Sequence, residues 1–209
     1  MRLPIGDHLS HNWLVTTLAP DFELLDVWRY PIEIENAIAM DQFLDFMQAS
    51  QSELVSGHGA AGALFKLRSR LGRLFGWDGD ESRPRPPLPI PGCVETSLRE
   101  RLQDADQFPN DATHTTDSAQ SSSSFKPVYR RNNEALLEIS NSTVHAMMHL
   151  GRVPISDSHW SPQLGVYVKT RGRLGRFYMS LISPFRHYIV YPAMMRAAQK
   201  GWPRYRGSL

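Results

Sequence analysis

In the second half of the chain, hydrophobic and polar positions alternate with a period of two. Before and after that region they recur at three- and four-residue spacing. Gln163 to Thr170 shows the clearest alternation, with Leu164, Val166 and Val168 on one face and Gln163, Tyr167 and Lys169 on the other. Thr143 to Leu150 follows the same rule, which places Val144, Ala146, Met148 and Leu150 on an apolar face. The histidines His145 and His149 fall on the opposite face, directed outwards. Phe125–Tyr129 is β-prone, and Glu134–Ser140 suits either a strand or a helix. A turn is expected at Asn141-Ser142, and a loop over Val153–Pro162 with its prolines. Gly172 to Lys200 reads as one long helix. Phe177, Leu181, Phe185, Tyr188 and Met195 are expected to face inwards. Pro184 and Pro192 should bend or restart it, and Gly201 and Pro203 should end it.

The first half reads as shorter elements. Asn12–Leu18 is β-prone, and Phe22 to Trp28 suggests a short helix after Pro20-Asp21. Met40–Ser50 is a helix with Phe43, Leu44 and Met47 on its apolar side. Ala60–Trp77 is the most amphipathic stretch. Leu64, Leu67, Leu71, Leu74 and Phe75 oppose Lys66, Arg68, Arg70 and Arg73. Residues 79–92 form a proline-rich loop and 109–124 a serine-rich flexible one, both inside a single domain spanning 1–209. A short helix containing Leu98 and Leu102 lies between them.

Composition narrows the class of protein. The hydrophobic fraction of 41% over 209 residues supports a real core. One cysteine, Cys93, excludes an internal disulfide framework and has no evident base beside it. Phe177–Met195 is the longest apolar stretch, but Arg186, His187 and two prolines interrupt it, so no membrane span is expected. The opening residues are polar, no leader is expected, and the default location is the cytoplasm. Charge is unevenly spread. Residues 1–55 hold nine acids against two bases, and 171–209 hold eight bases and no acid. The two ends are expected to neutralise each other, and no nucleic-acid motif accompanies the basic end.

An N-terminal strand, two early helices, a run of antiparallel strands and a long final helix together suggest an α+β, helix-grip-like fold. In it a curved antiparallel sheet wraps around a long C-terminal helix, with two or three N-terminal helices. The strings PDFELLDVW, ALFKLRSRLGRLFGWD, TVHAMMHLGRV and LGVYVKTRGRLGRFYMSLISPFRHYIVYPAMM resemble the bacterial family called domain of unknown function 2867. The resemblance covers most of the chain outside the two loops. It implies a relationship to the helix-grip superfamily of lipid-binding and cyclase-like proteins. It implies no established activity. Some members of the family are fused behind dehydrogenase-like nucleotide-binding domains, so a dehydrogenase-like partner is one expectation. The chain itself has no G-x-G-x-x-G after a strand, and no cofactor is expected.

Candidate chemistry is sparse. On a strand, residues four apart lie about 13 Å apart, too far for His145 and His149 to share one metal ion. Either could instead serve as a general base near neutral pH. Arg186 in an apolar helix needs a partner: an early acid (Asp21, Glu23 or Asp26), or the polar end of a ligand. The leading expectation is a module that holds a small apolar or amphipathic molecule in an internal cavity, lined by Met147, Met148, Tyr167, Phe177, Leu181 and Tyr188 with Arg186 at the polar end. An enzyme using His145 or His149, and an interaction module docking on a dehydrogenase-like partner or an anionic surface, are the alternatives.

Overall fold

The computed structural model describes residues 1–56, 98–104, 126–140 and 144–207. The helix expected over 60–77, the loops over 79–92 and 109–124, Cys93 and the turn at Asn141-Ser142 lie outside those residues.

The described chain is α+β. A curved open antiparallel sheet has the order β1-β6-β5-β4-β3, with β2 also paired to β6. Its strands are β1 (Glu23–Arg29), β2 (Ile34–Glu35), β3 (Lys126–Arg130), β4 (Glu134–Ser140), β5 (Val144–Pro154) and β6 (His159–Thr170). Its helices are α1 (Ile5–Leu9), α2 (Leu14–Leu18), α3 (Met40–Ser56), α4 (Leu98–Asp104), α5 (Gly172–Phe185) and α6 (Tyr191–Arg206). A π-helical segment, Arg186–Val190, joins the last two.

Both faces of the sheet are covered, and this decides where β5 sends its side chains. Val144 and Leu150 are buried in one core with Trp28, Tyr30, Trp160, Leu164, Val166 and Val168. Residues of α3, the C-terminal helices and the π segment's flank (Phe43, Met179, Tyr191, Met195, Trp202) complete that core. Met147 and Val153, from the other face of β5, lie in a second core with Leu136 and Tyr167. Trp13, Leu14, Val15 and Leu18 of the N-terminal segment and Leu98 of α4 roof it. His145 and His149 point into this second layer with 0% exposure, so the outward placement expected for them is corrected. Alternation identifies two faces, but it cannot show that distant helices roof the second one.

Several elements differ from expectation. Asn12–Leu18 is not a strand: α2 is helical and buries Leu14, Val15 and Leu18. Its leading N–H, on Leu14, is accepted by both carboxylate oxygens of Glu134 at 3.0 and 3.1 Å. That long-range partner satisfies a helix-end donor and outweighs the β-propensity of the Val-Thr-Thr run. Residues 23–29 are the strand β1 rather than a helix. The β1–β6 register shifts between Leu24 and Asp26, so Leu24 joins the N-terminal core while Asp26 faces the C-terminal helix. The shift breaks the alternation that would have announced a strand. The expected loop over 153–162 shrinks, because β5 and β6 stay paired as far as Pro154 and Trp160. Pro162 is tolerated because on the opposite edge of β6 the β1 register ends at Gln163 and β2 begins at Trp160.

The long helix restarts at both prolines, as the sequence predicts. Pro184 lies in the last turn of α5 and Pro192 in the first turn of α6. It does not stop at Gly201, which is there for close approach: a Cβ on it would lie 3.0 Å from the Phe46 ring of α3. The inward stripe also differs. Met179, Tyr191, Met195, Ala198 and Trp202 are buried, whereas Phe177, Leu181, Phe185 and Tyr188 are exposed. Met195 is buried as expected, and with Met179, Tyr191, Ala198 and Trp202 it seats the helices on the sheet and α3.

The acidic and basic ends meet as the charge pattern suggests. Arg186 pairs with Asp26 at 3.3 Å and Arg206 with Glu35 at 3.2 Å, while Lys169 of β6, just before the basic end, pairs with Asp21 at 2.8 Å.

Candidate functional site

Three buried carboxylates organise the polar groups of the described core, two on the N-terminal side of the sheet and one beneath the C-terminal helix. Glu134 and Glu138 are four apart on β4, and His149 and His145 are four apart on β5. In the antiparallel register Glu134 opposes Gly151 and Glu138 opposes Met147, so each histidine sits on the diagonal of one glutamate. His149 Nε2 donates to Glu134 at 2.9 Å, and His145 Nε2 lies 2.8 Å from Glu138. An ionised carboxylate only accepts, so His149 carries its proton on Nε2 and leaves Nδ1 as a lone pair.

Glu134 is the more elaborate centre. Besides His149 and the Leu14 N–H, it accepts the Tyr129 hydroxyl at 2.8 Å. Burial alone would raise its pKa, but the hydrogen bonds from His149, Leu14 and Tyr129 outweigh that and hold it below the usual range. Burial pushes His149 down. His8, from α1, stands edge-on to His149 with ring centroids 5.0 Å apart, and its Nδ1 meets the side-chain oxygen of Gln163. Burial first, and then the neighbouring His149, lower His8 to about 4. Both rings are therefore neutral at pH 7. Packing here is close. A Cβ on Gly165 would lie 2.7 Å from His8 Nε2, and one on Gly151 would lie 2.7 Å from the Trp13 ring. This centre fastens α1 and α2 to the sheet. Among the described residues no group of three or more His, Cys, Asp or Glu is placed to hold a metal ion.

The third carboxylate, Asp26, lies under the π segment. The wider π turn lets the successive residues Arg186 and His187 reach it together. His187 Nε2 donates to Asp26 Oδ1. The Tyr191 hydroxyl donates to Oδ2 at 3.1 Å, and Arg186 Nη2 lies 3.3 Å away. The Ser183 hydroxyl is 3.2 Å from His187 Nδ1. Trp28 packs against both His187 and Tyr191. Burial, and then the charge of Asp26, raise the Tyr191 hydroxyl well above its usual range. Five buried donors in this layer, Arg186 Nε, Trp28 Nε1, Tyr30 Oη, Trp160 Nε1 and Trp202 Nε1, have no hydrogen-bond partner among the described residues, and the first three lie nearest Asp26 and Tyr191. Beside them the facing apolar surfaces are incompletely covered. Leu137, Ala146 and Met148 of the sheet and Ile182 and Met194 of the helix all remain half-buried against the core.

The residues expected to act together are thus divided. Met147, Tyr167, His145 and His149 belong to the N-terminal side of the sheet, and Met148 and Arg186 to the C-terminal side. Phe177, Leu181 and Tyr188 are on the outer surface of the helix. Asp26 was one of three candidate partners for Arg186, whereas Glu134, Glu138, His8, Gln163 and Tyr129 were not singled out by sequence. One signal was available for two of them: Glu134 and Glu138 repeat the four-residue spacing of His145 and His149 on the neighbouring strand.

Residues 18–193 match the model of a family described as "Protein of unknown function (DUF2867)". No curated protein and no solved structure matches.

Proposed function

Since the chain belongs to the DUF2867 family, whose description assigns no reaction, we propose a function from its own geometry: it binds a small amphipathic molecule with an acidic head between the sheet and the C-terminal helix. The observation that carries this reading is the coincidence of spare donors with uncovered apolar surface. Arg186 Nε, Trp28 Nε1 and Tyr30 Oη are buried without partners. A buried donor left unmade costs about 1–3 kcal/mol, so a guanidinium, an indole and a phenol without acceptors around one carboxylate support a place where an acceptor belongs. The half-buried Leu137, Ala146, Met148, Ile182 and Met194 offer an apolar lining beside it. The ligand's head is then a carboxylate or a similar acceptor at Arg186, and its tail lies along Met148 and Ile182. Asp26 is already occupied by His187, Tyr191 and Arg186, and it serves to aim the guanidinium.

The test uses the full chain and dodecanoate as probe. Titration followed by native mass spectrometry is expected to show one bound molecule. Arg186→Gln should weaken binding at least tenfold, and Arg196→Gln, an exposed control on α6, should leave it unchanged. Equal binding by the chain and by Arg186→Gln, or none to either at millimolar probe, contradicts the reading.

A further inference from the structure

The outer face of α5 is an unusual surface for a helix that packs on its own domain. Phe177 is 65% exposed, Leu181 52%, Phe185 45% and Tyr188, in the π segment, 80%. At about 100° per residue, Phe177, Leu181, Pro184 and Phe185 fall within a sector of roughly 100°, with the buried Met179 opposite it and the half-buried Ile182 between the two. Arg173 and Arg176, both exposed, run along one side of that sector. No acid occurs from Arg171 to Leu209. Large side chains scattered singly on a surface need no explanation, but four in one stripe with a cationic margin do.

We infer that this face of α5 docks on an anionic lipid surface. The stripe has the composition of a helix lying in the bilayer interface: aromatic and aliphatic residues on the apolar side, arginines at the headgroup level and no acid on the helix itself. Charge chooses among possible occupants. A second copy would bring the same arginines against Arg173 and Arg176, whereas phosphatidylglycerol-type headgroups complement them. The axis of α5 lies parallel to the surface, since among the described residues no helix is long and apolar enough to cross a membrane. The inference is independent of ligand binding between the sheet and the helix, which uses the opposite side of α5.

Co-sedimentation of the full chain with vesicles tests it. Vesicles of phosphatidylcholine and phosphatidylglycerol in equal parts should bind the chain, and phosphatidylcholine alone should bind it at least tenfold less. Raising salt from about 0.1 to 1 M, which shortens the screening length from ~10 to ~3 Å, should release it. The double variant Arg173→Gln/Arg176→Gln should lose about 25-fold in partitioning, at ~1 kcal/mol per charge. Phe177→Ser/Leu181→Ser should lose binding with an unchanged circular dichroism spectrum, because both positions are exposed. The inference is overturned if the chain does not bind the anionic vesicles. It is equally overturned if both double variants bind like the parent, or if the stripe variant merely converts a concentration-dependent dimer to monomer.

Discussion

Lowering the pH from 6.5 to 4.5 should destabilise the protein by way of the roof over the N-terminal core, and His8 is the group to follow. In the fold His8 is held at about 4, whereas an unfolded histidine titrates near 6.5. Between those values the unfolded chain binds a proton that the folded chain refuses. Stability therefore rises with pH in this window and falls on acidification, by about 1.4 kcal/mol per pH unit for one fully shifted group. Over the two units from 6.5 to 4.5, where the slope is only partly developed at either end, His8 alone withdraws about 2 kcal/mol. His149, also lowered by burial, acts in the same direction. The shifted carboxylates do not intrude, because their contributions are lost only below their unfolded values, 4.5 for Glu134 and 3.8 for Asp21. Urea titrations at pH 7.0, 6.5, 5.5 and 4.5, on the parent and on His8→Leu, read the effect directly. The leucine variant should show a slope against pH that is shallower by about 1 kcal/mol per unit on average across the window, whatever its stability at pH 7. Constant stability of the parent across the window, or an unchanged slope in His8→Leu, would refute the neutral, buried His8 that the geometry requires.

Other substitutions probe the same framework. Asp26→Ala leaves Arg186, His187 and Tyr191 facing an empty position beneath the π segment. It should cost about 3–5 kcal/mol by thermal or urea unfolding, and a cost under 1 kcal/mol would mean that Asp26 does not anchor the helix. Gly151→Ala drives a methyl to 2.7 Å from the Trp13 ring and should cost about 1–3 kcal/mol; a neutral result would mean that the roof shifts freely. Tyr129→Phe removes one of the donors to the Glu134 carboxylate and should cost about 1.5–3 kcal/mol, with the apparent pKa of Glu134 moving up in carboxylate-resolved NMR.

The alternation in β5 and β6 was legible because it is local: side chains two apart share a face whatever surrounds them. The restart of the last helix was legible for the same reason, since proline removes a donor wherever it stands. What was not legible depends on distant residues. The helix α2 depends on Glu134, 120 positions away, and a β-prone septet gives no hint of that. The strand β1 was hidden by its own register shift. The inward stripe of α5 was misjudged because Phe177, Leu181 and Phe185 are larger and more apolar than Met179 and its companions. Burial usually takes the larger stripe, so leaving it outside is itself informative. Arg186 needed an acid, and Asp26 was among three candidates, but only the fold brings β1 under the π segment to choose it. His145 and His149 carried the strongest chemical signal in the sequence. Their glutamates lie one strand away at matching spacing, and the pairs hold the roof in place.

The account turns on where an amphipathic acid lodges, and photo-crosslinking answers that most directly. A dodecanoate analogue carrying a terminal diazirine, irradiated with the full chain and followed by peptide mass spectrometry, is predicted to label Met148, Leu137 or Ile182, and to lose that labelling in Arg186→Gln. Labelling confined to Phe177, Leu181 and Phe185, or undiminished in Arg186→Gln, would contradict a ligand site between the sheet and the C-terminal helix.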